Sequence, residues 1–101
     1  MRGVSLAESM ELRDLSKVLF GQGHRLSVMV GIARGAEQFF LTDLLADLGF
    51  NNLSSIQDPI RDLEKSDLIT RIPKEDNRVR FRRNASLAWS WAEELASRHG
   101  K

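Results

Sequence analysis

Apolar residues recur along this chain with two different periods, and these periods predict where its helices and strands lie. Between Ser5 and Arg34, apolar positions three and four residues apart predict two helices. The first begins at Ser5, which has the capping-box spacing to Glu8, and it ends at Gly21. The second runs from about His24 and is apolar on nearly every side, as is typical of a central buried helix.

A third helical pattern follows a short apolar segment, Phe39-Phe40-Leu41, which is long enough for one brief strand. Thr42 is the predicted N-cap of this third helix. Gly49 is predicted to end it in the left-handed conformation that glycine adopts without strain. After a turn, a fourth pattern extends to about residue 66.

The start of the fourth helix depends on Pro59. A proline fits only the first turn of a helix, where its missing amide hydrogen would have had no partner. The helix therefore begins near Ser54, with Pro59 at the end of its first turn, or it begins at the N-cap Asp58. In the second case residues 54–57 form a loop.

Alternating residues after the fourth helix predict a β-hairpin. Residues 68–72 and 78–83 alternate in the manner of strands, and a turn-rich loop beginning with Pro73 joins them. In the second strand Val79 and Phe81 fall on one face. The other face carries Arg78, Arg80 and Arg82.

The last predicted helix covers about residues 85–98. Its apolar stripe consists of Leu87, Ala88, Trp91, Ala92 and Leu95, whereas Trp89 faces elsewhere. This apolar surface exceeds what a core already filled by the other helices accepts, so part of it is expected to contact a second subunit. The predicted interface residues come from the first and last helices: Leu12, Leu87, Trp89, Trp91 and Leu95.

Positive charge is concentrated in the hairpin. Residues 71–83 hold six basic and two acidic side chains, a balance of +4, whereas residues 1–70 hold seven basic and ten acidic ones, a balance of −3. A solvated hairpin face is the alternative explanation. The concentration favours a surface for a phosphate backbone, because guanidinium groups bind phosphate well.

Three helices, a turn and a hairpin in this order predict a winged helix-turn-helix, a mainly α fold with a small β-hairpin. The whole chain, residues 1–101, is predicted to be one domain. Its helix-turn-helix covers about residues 42–66 and its wing about 68–83. The apolar fraction of 42% and the charged fraction of 29% are ordinary for a folded domain.

Four segments carry a family resemblance: residues 20–26, 44–49, 54–56 and 60–69. They resemble the opening of the second helix, the helix-turn-helix and the start of the wing in arsenical-resistance-repressor-like (ArsR-like) regulators. Multiple-antibiotic-resistance-like (MarR-like) repressors share much of this pattern. The resemblance covers about residues 15–85 and implies a homodimeric prokaryotic transcription regulator that binds double-stranded DNA, as activator or repressor.

The predicted DNA contacts lie on the fourth helix and the wing. Gln57 and Arg61 suit adenine and guanine edges, although a merely solvated helix face is the alternative. The full set is Ser54, Ser55, Gln57, Arg61, Lys65, Lys74, Asn77, Arg78 and Arg80. The acidic residues Asp58 and Asp62 favour a second hypothesis, a winged-helix module that binds protein without specific DNA binding.

Several kinds of chemistry are excluded by residue types. The chain has no cysteine, so it has no disulfide and no thiolate ligand, and Phe40 and Thr42 stand where metal-sensing relatives carry cysteines. His24 and His99 are too far apart in sequence to suggest a metal site, so neither metal nor cofactor is expected. No glycine-rich phosphate loop or nucleophile–histidine pair suggests an enzyme. The apolar runs are too short for a membrane span, and a cytoplasmic protein is expected.

Overall fold

The described residues of the computed structural model, 5–73 and 76–99, are mainly helical and form one small antiparallel sheet. They contain five α-helices and three strands, so the mainly α prediction is confirmed at this level. In chain order the elements are α1 (Met10–Phe20), α2 (Arg25–Arg34), β1 (Gln38–Phe40), α3 (Leu41–Leu48), α4 (Gln57–Lys65), β2 (Ile69–Ile72), β3 (Arg80–Arg83) and α5 (Leu87–His99). No helix in these ranges is both long and apolar enough to cross a membrane.

The sheet has the order β1-β3-β2, with both pairs antiparallel. In its register, Phe81 in the central strand lies between Phe39 of β1 and Arg71 of β2. The predicted alternation holds here, because Phe81 is fully buried and its neighbour Arg82 is exposed. The hairpin therefore gains a third strand, and its apolar face is part of the core.

The core is centred on α2, as its all-round apolar pattern predicts. Leu26, Val28 and Val30 are completely buried, and side chains from every other helix pack around them. Gly31 allows α3 to come close, because a Cβ at this position would lie 2.5 Å from Cδ2 of Leu48. The glycines predicted to end α1 and α3 are both left-handed, with φ of 71° at Gly21 and 90° at Gly49; this conformation was predicted for Gly49.

The structure corrects two predicted helix starts. Ser5 precedes a 3-10 turn (Leu6–Glu8), and α1 begins only at Met10, where the hydroxyl of Ser9 caps the helix by accepting from the amide of Leu12 at 3.3 Å. Helix α3 begins at Leu41 rather than after Thr42. Its first amide donates to the carbonyl of Val79 at 2.9 Å, so the hairpin takes the place of a side-chain cap.

The fourth helix begins one residue before the later of its two predicted starts, and Asp58 lies in its first turn rather than at its N-cap. A 3-10 turn (Leu53–Ser55) comes first, and α4 begins at Gln57. Pro59 is the third residue of the helix, a first-turn position at which no intrahelical amide bond is lost. Its ring is buried, so it also anchors the start of α4 to the core.

Candidate nucleic-acid interface

The solvent-facing side of α4 is the centre of the candidate interface. Pro59, Ile60 and Leu63 are buried, which leaves the opposite side of the helix to solvent. That exposed side carries Gln57, Asp58, Arg61 and Lys65. Gln57 and Arg61 are one turn apart and project in the same direction. An amide suits the hydrogen-bonding edge of adenine, and a guanidinium suits that of guanine.

Ser54 and Ser55 lie in the 3-10 turn directly before α4. The hydroxyl of Ser54 donates to Oδ1 of Asn52 at 2.5 Å, and that of Ser55 reaches the same oxygen at 3.4 Å. Ile56 is fully buried and holds this turn against the core. The two hydroxyls therefore have to leave Asn52 before they can donate to a phosphate or a base.

Asp58 and Asp62, the acidic residues of α4 that favour the protein-binding hypothesis, have different surroundings. Asp58 pairs with Arg61 at 3.1 Å, and both side chains are well exposed. An exposed pair of this kind contributes about 1 kcal/mol or less, so a phosphate can replace Asp58. Asp62 pairs instead with Arg25 of α2 at the flank of the helix. Its charge is therefore neutralised within the protein.

A groove of about 340 Å³ separates α4 from the hairpin. Apolar side chains form much of its lining: Leu41, Leu53, Ile60 and Val79. Gln57 and Arg61 border it on the helix side and Arg71 on the hairpin side. Arg71 pairs with Glu64 of α4 at 3.3 Å, so an ion pair links helix and hairpin. The groove therefore brings Gln57 and Arg61 together with Arg71, whereas Arg80 and Arg82 alternate onto the other face of β3.

The basic residues of the hairpin fall into groups that sequence alone does not separate. Arg83 is structural, because its guanidinium donates to the carbonyls of Ile32 and Gly35 at 2.8 and 2.9 Å and closes the end of α2. Arg80 and Arg82 form no ion pair within the described residues. Lys74 lies outside the described residues.

Arg82 is exposed and was not among the predicted contacts, although its alternation with Arg80 was a usable signal. Asn77, in the loop between the two strands, is exposed. Arg78 has two partners from elsewhere in the chain. Its Nη2 donates to both carboxylate oxygens of Asp43 at 3.3 Å, and its Cζ lies 3.6 Å from the centroid of the Phe40 ring.

The candidate dimer surface lies on α5 and the adjoining end of α1. Leu87 is 85% exposed and Trp91 is 41% exposed, and Leu95 is half-buried beside them. The Trp91 ring meets Phe20 of α1 edge to face at 5.9 Å between centroids. Leu19, next to Phe20, is also exposed, so the apolar surface includes both helices.

Two predicted interface residues are instead part of the protomer core. Leu12 is 1% exposed because α1 packs this side chain against the core cluster. Trp89 is 7% exposed, and its indole Nε1 donates to the carbonyl of Asn84 at 2.7 Å. The faces assigned to the two tryptophans are thus reversed, because Trp89 joins Ala92 and Ala96 on the buried side of α5.

His24 is the N-cap residue of α2. Its ring meets Phe50 edge to face at 4.8 Å, and its Nδ1 is buried without a hydrogen-bond partner among the described residues. Burial lowers the pKa of His24 below its ordinary 6.5, and the charges of Arg13 and Lys17 lower it further. The described residues contain no group of three or more histidine, aspartate or glutamate side chains placed to hold a metal ion.

The lowered pKa of His24 makes stability depend on pH. Just below pH 6.5 the unfolded chain binds more protons at this residue than the folded chain does, so the free energy of unfolding falls as pH decreases from 7.5 toward the folded pKa. The slope from one proton is at most about 1.4 kcal/mol per pH unit. Urea unfolding between pH 7.5 and 5.5 should show the free energy of unfolding falling toward low pH in the wild type and in His99→Gln, by less than this limit because His24 is partly exposed. The slope should be smaller in His24→Gln, and an unchanged slope there would refute the assignment.

Neither a known family profile nor a curated protein sequence matches the chain. Its function is therefore inferred from the geometry of the surface described above.

Proposed function

We propose that this protein is a winged helix-turn-helix transcription regulator that binds double-stranded DNA as a homodimer in the cytoplasm. The carrying observation is the groove that Gln57 and Arg61 of α4 border on one side and Arg71 of the hairpin borders on the other. In this arrangement α3 and α4 are the helix-turn-helix, with α4 in the major groove. The hairpin of β2 and β3 is the wing, which contacts phosphates beside it.

The dimensions of α4 suit this role. An α-helix with its side chains is about 10–12 Å in diameter, which fits the major-groove width of about 12 Å. The exposed polar side chains occupy the side away from the core, so the helix can enter the groove without unfolding. The resemblance to ArsR-like regulators supports the same placement.

The dimer is the second part of the proposal. Leu87 and Trp91 leave an apolar surface on α5 that continues onto α1. A twofold axis through this surface would fix the distance between the two α4 helices. The operator is then an inverted repeat whose half-sites are about one helical turn apart.

Selection of bound duplexes from a random pool, followed by a salt titration of the selected sequence, tests the proposal. The selected sequence is expected to be an inverted repeat, and the affinity of the protein for it should fall steeply with salt concentration. Absence of enrichment, together with duplex binding no stronger than that of a neutral protein, would reject DNA binding. The second hypothesis, a module that binds a protein partner, would then be favoured by the carboxylates Asp43, Asp58 and Glu64, each of which pairs with an arginine on this surface.

The wing should supply affinity with little sequence preference. Arg78→Gln combined with Arg80→Gln is expected to weaken binding to specific and random duplexes alike. The plot of log K against log salt should lose about one unit of slope for each phosphate contact removed. Arg34→Gln is the matched control, since Arg34 is an exposed arginine paired with Glu93 outside this surface. An unchanged slope in the double variant would contradict the wing assignment.

A further inference from the structure

Phe40 lies where three elements meet. It is the last residue of β1, it directly precedes α3, and it pairs in register with Arg80 of β3. Its half-buried ring lies 3.6 Å from Cζ of Arg78 and 5.6 Å from Cζ of Arg80. Both distances are within the range of a cation–π interaction. One aromatic ring therefore holds two guanidinium groups of the hairpin.

Asp43 is the second partner of Arg78, in the first turn of α3. Both of its carboxylate oxygens contact Nη2 of Arg78, and within the described residues Nη1 and Nε of this arginine have no such partner. The side chains of Arg78 and Asp43 are 47% and 64% exposed. Solvent weakens an ion pair of this exposure, so a phosphate of a DNA strand, whose closely spaced charges together attract an arginine, can replace the carboxylate.

The position of this cluster relates it to the candidate DNA surface. The amide of Leu41, next to Phe40, donates to the carbonyl of Val79, next to Arg78. Leu41 and Val79 both line the groove that Gln57 borders. Arg78 is thus the residue directly before a groove-lining position of the hairpin, and it belongs to the wing that the proposed function assigns to phosphate.

We propose that Phe40 and Asp43 act oppositely on Arg78: the Phe40 ring holds the guanidinium at the edge of the DNA surface, and a DNA phosphate displaces the Asp43 carboxylate. The inference rests on the proposed DNA binding and assigns positioning roles to two residues. The ring is uncharged and does not repel phosphate, so it orders the side chain without opposing the ligand. The carboxylate competes with phosphate for the same donor and repels it.

Affinity for a random duplex, measured at several salt concentrations, tests both roles. Asp43→Asn is expected to tighten binding about 3- to 10-fold, because it removes the competitor. Asp47→Asn is the matched control. Asp47 is an exposed carboxylate one turn further along α3 that forms no ion pair within the described residues, so its removal should change affinity less than about 2-fold.

Phe40→Leu is expected to weaken binding about 3- to 10-fold, whereas Phe40→Tyr keeps an aromatic face and should restore affinity to within about 2-fold of wild type. In an Arg78→Gln background, Asp43→Asn should have no more effect than Asp47→Asn, since the residue on which it acts is gone. Thermal unfolding shows whether the Phe40 variants fold. If Phe40→Leu does not fold, Asp43→Asn still tests the proposal, because this substitution is at an exposed site.

Two failures can be told apart. A wild type that binds no duplex overturns the proposed function and this inference together. A wild type that binds duplex, with equal effects of Asp43→Asn and Asp47→Asn, overturns this inference alone. A loss of affinity in Asp43→Asn would mean that the carboxylate supports the DNA contact rather than competing with it, which also overturns the inference.

Discussion

Replacing Leu87 and Trp91 together by glutamine is expected to convert the protein from dimer to monomer and to weaken operator binding at least 100-fold. Neither side chain belongs to the buried core, but the protomer covers more than half of Trp91, so the double variant is expected to fold with some loss of stability. The affinity falls because two linked half-site contacts reinforce each other by a factor of 10² to 10⁴, and a monomer loses that gain. Glutamine changes no charge, so non-specific attraction to DNA is preserved.

Sedimentation equilibrium and a binding titration on the selected inverted repeat measure these two effects. Ser97→Gln is the control, because it adds a glutamine at an exposed position of the same helix. Circular dichroism should show nearly unchanged helix content in both variants. A wild type that is monomeric at micromolar concentration without DNA would refute the dimer and put the protein-binding hypothesis first.

Gln57→Ala and Arg61→Ala are expected to remove sequence discrimination. Each should cost about 1–3 kcal/mol on the selected operator and less on random duplex, because a bidentate contact to a base edge is lost only where the correct base is present. The measurement is the ratio of the two affinities for each variant. Lys65→Ala, at the end of the same exposed side, should lower both affinities equally and leave the ratio unchanged.

If the Gln57 and Arg61 variants lose equal affinity for both duplexes, these residues contact the DNA backbone and not the bases. The ion pair between Asp58 and Arg61 allows a related test of how α4 binds DNA. Asp58→Ala removes the competing carboxylate and should raise affinity for any duplex, whereas a role for Asp58 in accepting from cytosine would lower affinity only for the operator.

Patterns among neighbouring residues were sufficient to predict most of the helices and strands. The all-round apolar pattern of α2 and the left-handed glycine caps at Gly21 and Gly49 follow from backbone and burial rules that act within a few residues. Sequence reasoning failed at the start of α3, where the first amide is satisfied by Val79, far along the chain. A search for capping side chains cannot detect a cap that a distant strand provides.

The tryptophans of α5 also show that sequence patterns do not detect distant contacts, although the position of this helix was predicted correctly. Periodicity allows either Trp89 or Trp91 to face the core, because apolar residues cover more than one side of the helix. Packing against α2 and the hydrogen bond from Trp89 to Asn84 decide the choice. Trp89→Ala would therefore damage the fold and would not report on the dimer.

The order of the elements, the exposed side of α4 and the concentration of positive charge in the hairpin follow from the amino-acid sequence alone, since each depends on spacing along a few turns or one strand. Which arginines are available to a ligand depends on tertiary packing. Arg83 closes the end of α2, Arg71 pairs with Glu64, and Arg78 lies between Phe40 and Asp43. These partners are 7 to 51 residues away along the chain, beyond the reach of any local pattern, and they become neighbours only when the sheet packs against the helices.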